Sequence, residues 1–130
     1  MQYMMLIYLE PGAPTEAQRT KCYENSAAFA RELHSKGQYI LSAPLHPTTT
    51  ATSVRAVDGK RLVTDGPFAE TREQLGGFFL VDAANLDEAI EIAKRLPAGQ
   101  YGTVEIRPVI QISGLPSASP VDLAVSSSTQ

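Results

Sequence analysis

Two histidines are the whole imidazole inventory of this chain, so any proton-transfer chemistry near neutral pH has few candidate carriers. His46 stands in Leu45-His46-Pro47, where a strand runs into a loop, a frequent place for a ligand-facing side chain. Its imidazole can act as acid and base if a carboxylate fixes its tautomer. Asp65 is the matching carboxylate, because it opens the turn Asp65-Gly66-Pro67-Phe68 and an intervening hairpin can bring the two loops together. The alternative is that Asp65 caps its own turn through an Asx hydrogen bond while His46 is a solvated loop residue. His34 falls in the last turn of a helix, where its charged form suits the dipole, and reads as structural.

Around this pair, Glu70 and Arg72, with Glu73, offer charges that clamp a polar ligand or else form a solvated, ion-paired short helix. Phe68 is expected to plug the turn into the core, with a ligand wall as its other role. The hydroxyls of Tyr8 and Tyr101 can bind a polar ligand, although tyrosines in such segments also serve as apolar area with a wet rim. Cys22 sits on the buried stripe of a helix and reads as an inert thiol. No P-loop appears, Gly76-Gly77 lacks dinucleotide-fingerprint spacing, and no His/Cys/carboxylate spacing suggests a metal site. The reading is therefore cofactor-independent and metal-free.

Composition narrows the classes further. At 130 residues the chain has the size of one ordinary domain, with 43% hydrophobic and 19% charged residues. A net charge of −3 and the absence of tryptophan give a nucleic-acid platform no support. A single cysteine excludes an internal disulfide and fits a reducing, cytoplasmic setting. The opening run Met4-Met5-Leu6-Ile7-Tyr8-Leu9 is too short to span a bilayer and is not read as a signal peptide.

The elements that must position these residues follow from periodicity. Gln2 to Leu9 is a strand apolar on both parities, Tyr3, Met5, Ile7 and Leu9 against Met4, Leu6 and Tyr8, hence covered on both faces. Thr15 with Gln18 is a capping box opening a helix to about Lys36, with the stripe Cys22, Tyr23, Ala27, Phe29, Ala30 and Leu33, closed by Gly37. Gln38 to Leu45 is a second strand. Thr52 to Val57 and Lys60 to Thr64 flank Asp58-Gly59, the signature of a tight hairpin. Leu75 to Asp82 is again apolar on both parities, and Gly76-Gly77 leaves room for another backbone or a ligand. Asn85 with Glu88 forms a second capping box for a helix whose stripe is Leu86, Ala89, Ile90, Ala93 and Leu96, and Thr103 to Arg107 is a one-sided strand near an edge.

This order is an α+β, ferredoxin-like βαββαβ plan with an inserted β-hairpin, in residues 1–112, followed by a Ser/Pro-rich tail over 113–130 read as flexible or loosely docked. Its first and third core strands belong at the centre, and these are the two strands apolar on both parities. Two helices cover only one face of the sheet. The other face is expected to pack against a second copy, giving a homodimer with one parity of the first strand between subunits.

The string Asp65-Gly66-Pro67-Phe68-Ala69-Glu70-Thr71-Arg72-Glu73-Gln74-Leu75-Gly76-Gly77-Phe78-Phe79 closely resembles the signature of the DGPF-type branch of the YCII-related family. The likeness runs from the Tyr3-Met4-Met5-Leu6-Ile7-Tyr8 opening to Val104-Glu105-Ile106-Arg107-Pro108. It implies a ferredoxin-like subunit of a dimeric α/β barrel, with a site built from a His and an Asp in a cleft. Branch members are often encoded beside extracytoplasmic-function sigma factors, which implies a regulatory association. Two functions follow as expectations. One is a dimer that binds a small molecule through the signature loop, with Tyr8, Phe68, Glu70 and Arg72 as ligand contacts, linked to sigma-factor signalling. The other is a cofactor-independent isomerase or lyase using His46 and Asp65.

Overall fold

The computed structural model describes residues 1–116; most of the Ser/Pro-rich tail lies outside them. The chain runs β1 (Gln2–Leu9), α1 (Glu16–Ser35), β2 (Tyr39–Pro44), β3 (Thr52–Val57), β4 (Lys60–Asp65), β5 (Gln74–Asp82), α2 (Leu86–Arg95) and β6 (Gly102–Pro108). Short 3-10 turns, Thr48–Thr50 and Pro97–Tyr101, precede β3 and β6. The main sheet has the order β2-β5-β1-β6, antiparallel throughout, so the two doubly apolar strands are its centre. This is the ferredoxin-like arrangement, and β3 and β4 form a separate two-stranded sheet.

Parity divides the sheet into two unlike faces. Tyr3, Met5 and Ile7 of β1, with Phe79 and Val81 of β5, pack under the helices against Phe29, Leu33, Ala89, Ile92 and Leu96. Met5, Leu33 and Val81 are fully buried. Phe29 and Tyr39 flank the Phe79 ring, each with centroids 6.2 Å apart. Met4, Leu6, Tyr8, Phe78 and Leu80 point the other way, half-buried, and no element of the described residues covers them. On the edge strand β6, Val104 and Ile106 share the covered face while Glu105 and Arg107 stand exposed opposite Leu6 and Met4.

The α1 capping box forms on both sides, Thr15 accepting from the Gln18 amide and the Gln18 side chain accepting from the Thr15 amide. The second box is only half made. Asn85 caps the Glu88 amide, but the Glu88 carboxylate accepts from Gln38 Nε2 at 2.7 Å instead of turning back to the cap. A cross-element partner has displaced the local one. The helix stripes also shift. Ile92 is buried on α2 while Leu86 is 50% exposed, because Ala89, Ile92 and Leu96 form the central line and Leu86 lies beside it. On α1 Tyr23 and Ala27 are exposed, whereas Cys22, Phe29 and Leu33 carry the burial.

Two backbone features shape the site end of the sheet. β1 pairs Ile7 with Gly77 and Tyr8 with Leu75, so Gly76 is an extra residue, a β-bulge. A Cβ on Gly76 would displace the end of the Leu9 side chain, whereas one on Gly77 would press on backbone, 3.0 Å from the Ala43 carbonyl oxygen. At the hairpin tip Asp58 and Gly59 have φ of 48° and 76°, the left-handed pair of a type I′ turn.

Candidate functional site

The strand ends, the bulge and the first half of α1 enclose a cleft of about 680 Å³. β1 supplies Ile7 and Leu9 and then the turn Glu10–Pro14, β2 supplies Ser42 to Pro44 and the following Leu45 and His46, and β5 supplies Gln74 to Phe79. Its helical wall is Arg19, Cys22, Tyr23, Ser26 and Ala27. The spacing 19, 23 and 26–27 puts these on one helix face, which explains why Tyr23 and Ala27 look like core stripe yet stay open: they face a cavity. Sequence periodicity missed Arg19 for the same reason. Its signal is a cation one turn before Tyr23 on the flank of the apolar stripe.

The chemistry of the cleft is an apolar body with donors at its edge. Thr48 donates to Gln74 Oε1 at 3.1 Å, so those groups satisfy each other. Burial pushes the Cys22 thiol up, with a hydrogen bond to Ser26 offsetting part of the effect, so Cys22 stays a neutral thiol in the wall. Among the described residues, the side chains of Arg19, Tyr23 and His46 have no ion-pair or hydrogen-bond partner, which leaves their donors available. The Glu10 carboxylate stands at the same mouth, and its amide is fixed by the Tyr101 carbonyl at 3.0 Å. Among the described residues no group of three His, Cys, Asp or Glu could hold a metal ion.

Of the six residues expected to act as catalytic groups or ligand contacts, His46, Asp65, Tyr8, Phe68, Glu70 and Arg72, only His46 lines this cleft. Asp65 is exposed at the end of β4, and no hydrogen bond or ion pair joins it to His46 within one chain among the described residues. Its turn is held by the Gly66 amide on the Ala51 carbonyl and the Ser53 hydroxyl on the Gly66 carbonyl, both at 2.7 Å, rather than by an Asx bond from Asp65. Phe68 does not plug the core. It is 83% exposed, so no element among the described residues covers its ring. Glu70 and Arg72 are also exposed, and the expected ion-paired short helix is absent: the segment between β4 and β5 is irregular, with bends at Phe68–Ala69 and Arg72–Glu73 and the Thr71 hydroxyl on the Glu73 carbonyl. Tyr8 lies on the uncovered sheet face, its hydroxyl 3.4 Å from Glu105 Oε1, while Tyr101 is half-buried beside the Glu10 turn.

The model of the YCII-related domain family matches residues 1–113. The chain belongs to the YCII-related family. An uncharacterised protein from Rhizobium meliloti (strain 1021) is 37% identical over 114 residues, covering 84% of this chain and 92% of that protein. Among solved structures, the 5-chloro-2-hydroxyhydroquinone dehydrochlorinase of Burkholderia phenoliruptrix AC1100, in complex with 2,5-dihydroxybenzoquinone, aligns with a TM-score of 0.51 at 16% identity. The alignment covers 85% of this chain and 94% of the dehydrochlorinase. At that identity the likeness is one of fold, and it agrees with the ferredoxin-like YCII subunit described above. No helix among the described residues is long and apolar enough to cross a membrane.

Proposed function

We propose that this YCII-related protein, of the DGPF branch on its Asp65–Phe79 string, is a cytoplasmic homodimer of the α/β-barrel type that binds a small, largely apolar organic anion in the cleft. The observation that carries the reading is the pairing of an apolar cavity of about 680 Å³ with unpartnered donors from Arg19, Tyr23 and His46 at its edge. Cavities of this size and make-up suit compact organic ligands, whose few polar atoms are fixed by convergent side chains. A guanidinium and an imidazole select an acidic head group by charge-assisted hydrogen bonds. The uncovered face of Met4, Leu6, Tyr8, Phe78 and Leu80 supports the homodimer. The branch's sigma-factor association supports a regulatory outlet for the bound state, tested by whether a sigma factor co-purifies with wild type and is lost on ligand release.

Native mass spectrometry of the purified protein tests the binding reading. A small acid retained by wild type and absent from Ala27→Trp, which fills the cleft from an exposed helical position, is the expected result. Arg19→Gln should weaken its binding by about 10- to 100-fold, the worth of one charge-assisted hydrogen bond. A ligand retained equally by Ala27→Trp would remove the cleft from consideration.

A second reading is favoured by His46 itself, which lines the cleft, and by the dehydrochlorinase activity of the structural neighbour. Here the protein is a cofactor-independent isomerase or lyase in which His46 moves a proton and an Asp65 orients the imidazole. Since the two are not joined within one chain, the pair would form between subunits. Tyr8, Phe68, Glu70 and Arg72 remain proposed ligand contacts. Turnover abolished by both His46→Ala and Asp65→Ala, with the ligand still bound, separates this reading from pure binding.

A further inference from the structure

The cleft presents two opposite charges at its mouth. Of the ionisable groups that line it, Glu10, Arg19, Cys22, Tyr23 and His46, Glu10 is the only carboxylate and Arg19 the only permanent cation. Among the described residues neither side chain has an ion-pair or hydrogen-bond partner, so the two do not neutralise each other. Glu10 is nevertheless held by its backbone. Its amide donates to the Tyr101 carbonyl and its carbonyl accepts from the Ala13 amide, both at 3.0 Å, closing a turn with Pro11 and Gly12 at its centre. Gly12 has φ of 77°, the conformation a type II turn demands after proline. Arg19 follows in the first turns of α1, whose start is fixed by the Thr15 capping box. A tied turn and a capped helix end thus bring an acceptor and a cation to one opening.

This combination bears on what the cleft selects. A plain organic anion gains the Arg19 guanidinium but is repelled by Glu10, whereas an acid that also carries a hydroxyl or ammonium hydrogen satisfies both groups. We propose that the ligand is a hydroxy or amino acid, its donor close to its acidic group and its apolar body directed inward, and that Glu10 is the residue that selects it; the proposal rests on the anion-binding reading of the cleft above. Both charged groups stand at the mouth, so the polar atoms of the ligand belong at one end. Ile7, Leu9, Leu45, Leu75, Phe78 and Phe79 supply apolar wall for the rest of it. The repulsion is as much a part of the selectivity as the attraction, because it rejects acids of the same shape that lack the donor.

Isothermal titration calorimetry of the dialysed full chain tests this with three acids that share one body. Phenylacetate lacks the donor, mandelate has a hydroxyl beside the carboxylate, and phenylglycine has an ammonium there. In wild type, mandelate or phenylglycine should bind at least about 10-fold more tightly than phenylacetate, the worth of one charge-assisted hydrogen bond. Whichever of the two leads identifies the donor. Glu10→Gln should tighten phenylacetate and close the gap, whereas Arg19→Gln should weaken all three acids alike. Glu16→Gln, at the same helix end but outside the cleft, should leave the affinities unchanged. Phenylacetate bound as tightly as the other two, or a gap that survives Glu10→Gln, would overturn the selection by Glu10 and leave anion binding standing. Equal effects from Glu16→Gln and Glu10→Gln would trace the gap to overall charge and overturn it as well. No binding of any of the three acids, or binding indifferent to Arg19→Gln, would overturn the anion-binding reading and the proposal with it.

Discussion

The two faces of β1 and β5 are built from the same strands and almost the same residue types, yet they meet different surroundings. Tyr3, Met5, Ile7, Phe79 and Val81 lie under two helices and are buried, whereas Met4, Leu6, Tyr8, Phe78 and Leu80 are only half-buried. Apolar residues on both parities state that both faces will be dry in the working protein. They do not state what dries them. On one face the cover is local in the chain, supplied by the crossover helices; on the other no element among the described residues supplies it, and in the proposed homodimer it comes from a second copy.

Substitutions that strike each face sharpen this contrast. The largest effect belongs to Met5→Ala, which empties space in a fully buried position and should destabilise the fold by about 2–5 kcal/mol, seen as an earlier urea midpoint even at high dilution. Leu6→Ala, one residue along the same strand, should leave the dilute urea midpoint nearly unchanged and instead weaken dimerisation by about 1–2 kcal/mol, read by sedimentation. Equal loss of dilute stability from both variants would break the comparison. The smallest effect is electrostatic and lies above the covered face. There Arg95 of α2 pairs with Glu32 of α1 and stacks over the Phe29 ring at 4.8 Å.

The hydrogen bond from Arg95 holds the Glu32 carboxyl below the usual glutamate range, with Lys36 adding a little. Its pKa is depressed on folding, so the stabilisation is present above the unfolded value and is lost as pH falls through the folded one. Glu32→Gln should therefore be slightly less stable than wild type at neutral pH, with the difference closing on acidification in a pH series of thermal melts. The partial exposure of the pair keeps this effect small.

Much of the fold was legible because strand and helix periods differ and their punctuation is strong. Thr15, Gly37, Asp58-Gly59, Asn85 and Pro97 bound the elements close to where they occur. Central placement of β1 and β5 followed from double-sided apolarity, and Val104 and Ile106 alternating with Glu105 and Arg107 marked the edge. The errors cluster where a residue's neighbour comes from elsewhere in the chain. Glu88 answers Gln38 rather than its own cap, and Tyr23 and Ala27 fit a core stripe but border a cavity, a distinction that helical spacing does not encode. Phe68 shows the limit most plainly: a phenylalanine in a signature turn suggests an anchor, but its burial depends on what stands beside the loop. His46 was found because a lone imidazole at a strand end is conspicuous; Arg19 was not, because one cation on a polar helix flank is ordinary.

The extra residue at Gly76 gives this fold an independent adjustment. Because β1 and β5 are anchored through Met5–Phe79 and Tyr3–Val81, the register of the core is set before the strands reach the bulge. Past that point one additional backbone unit decides which way Leu75 and Gln74 turn, and with them one wall of the cleft. Shortening or lengthening β5 by one residue there would reshape the cavity while leaving the packed layer untouched. Descendants of one scaffold could in this way exchange their ligands by small insertions and deletions, with the core as a constant.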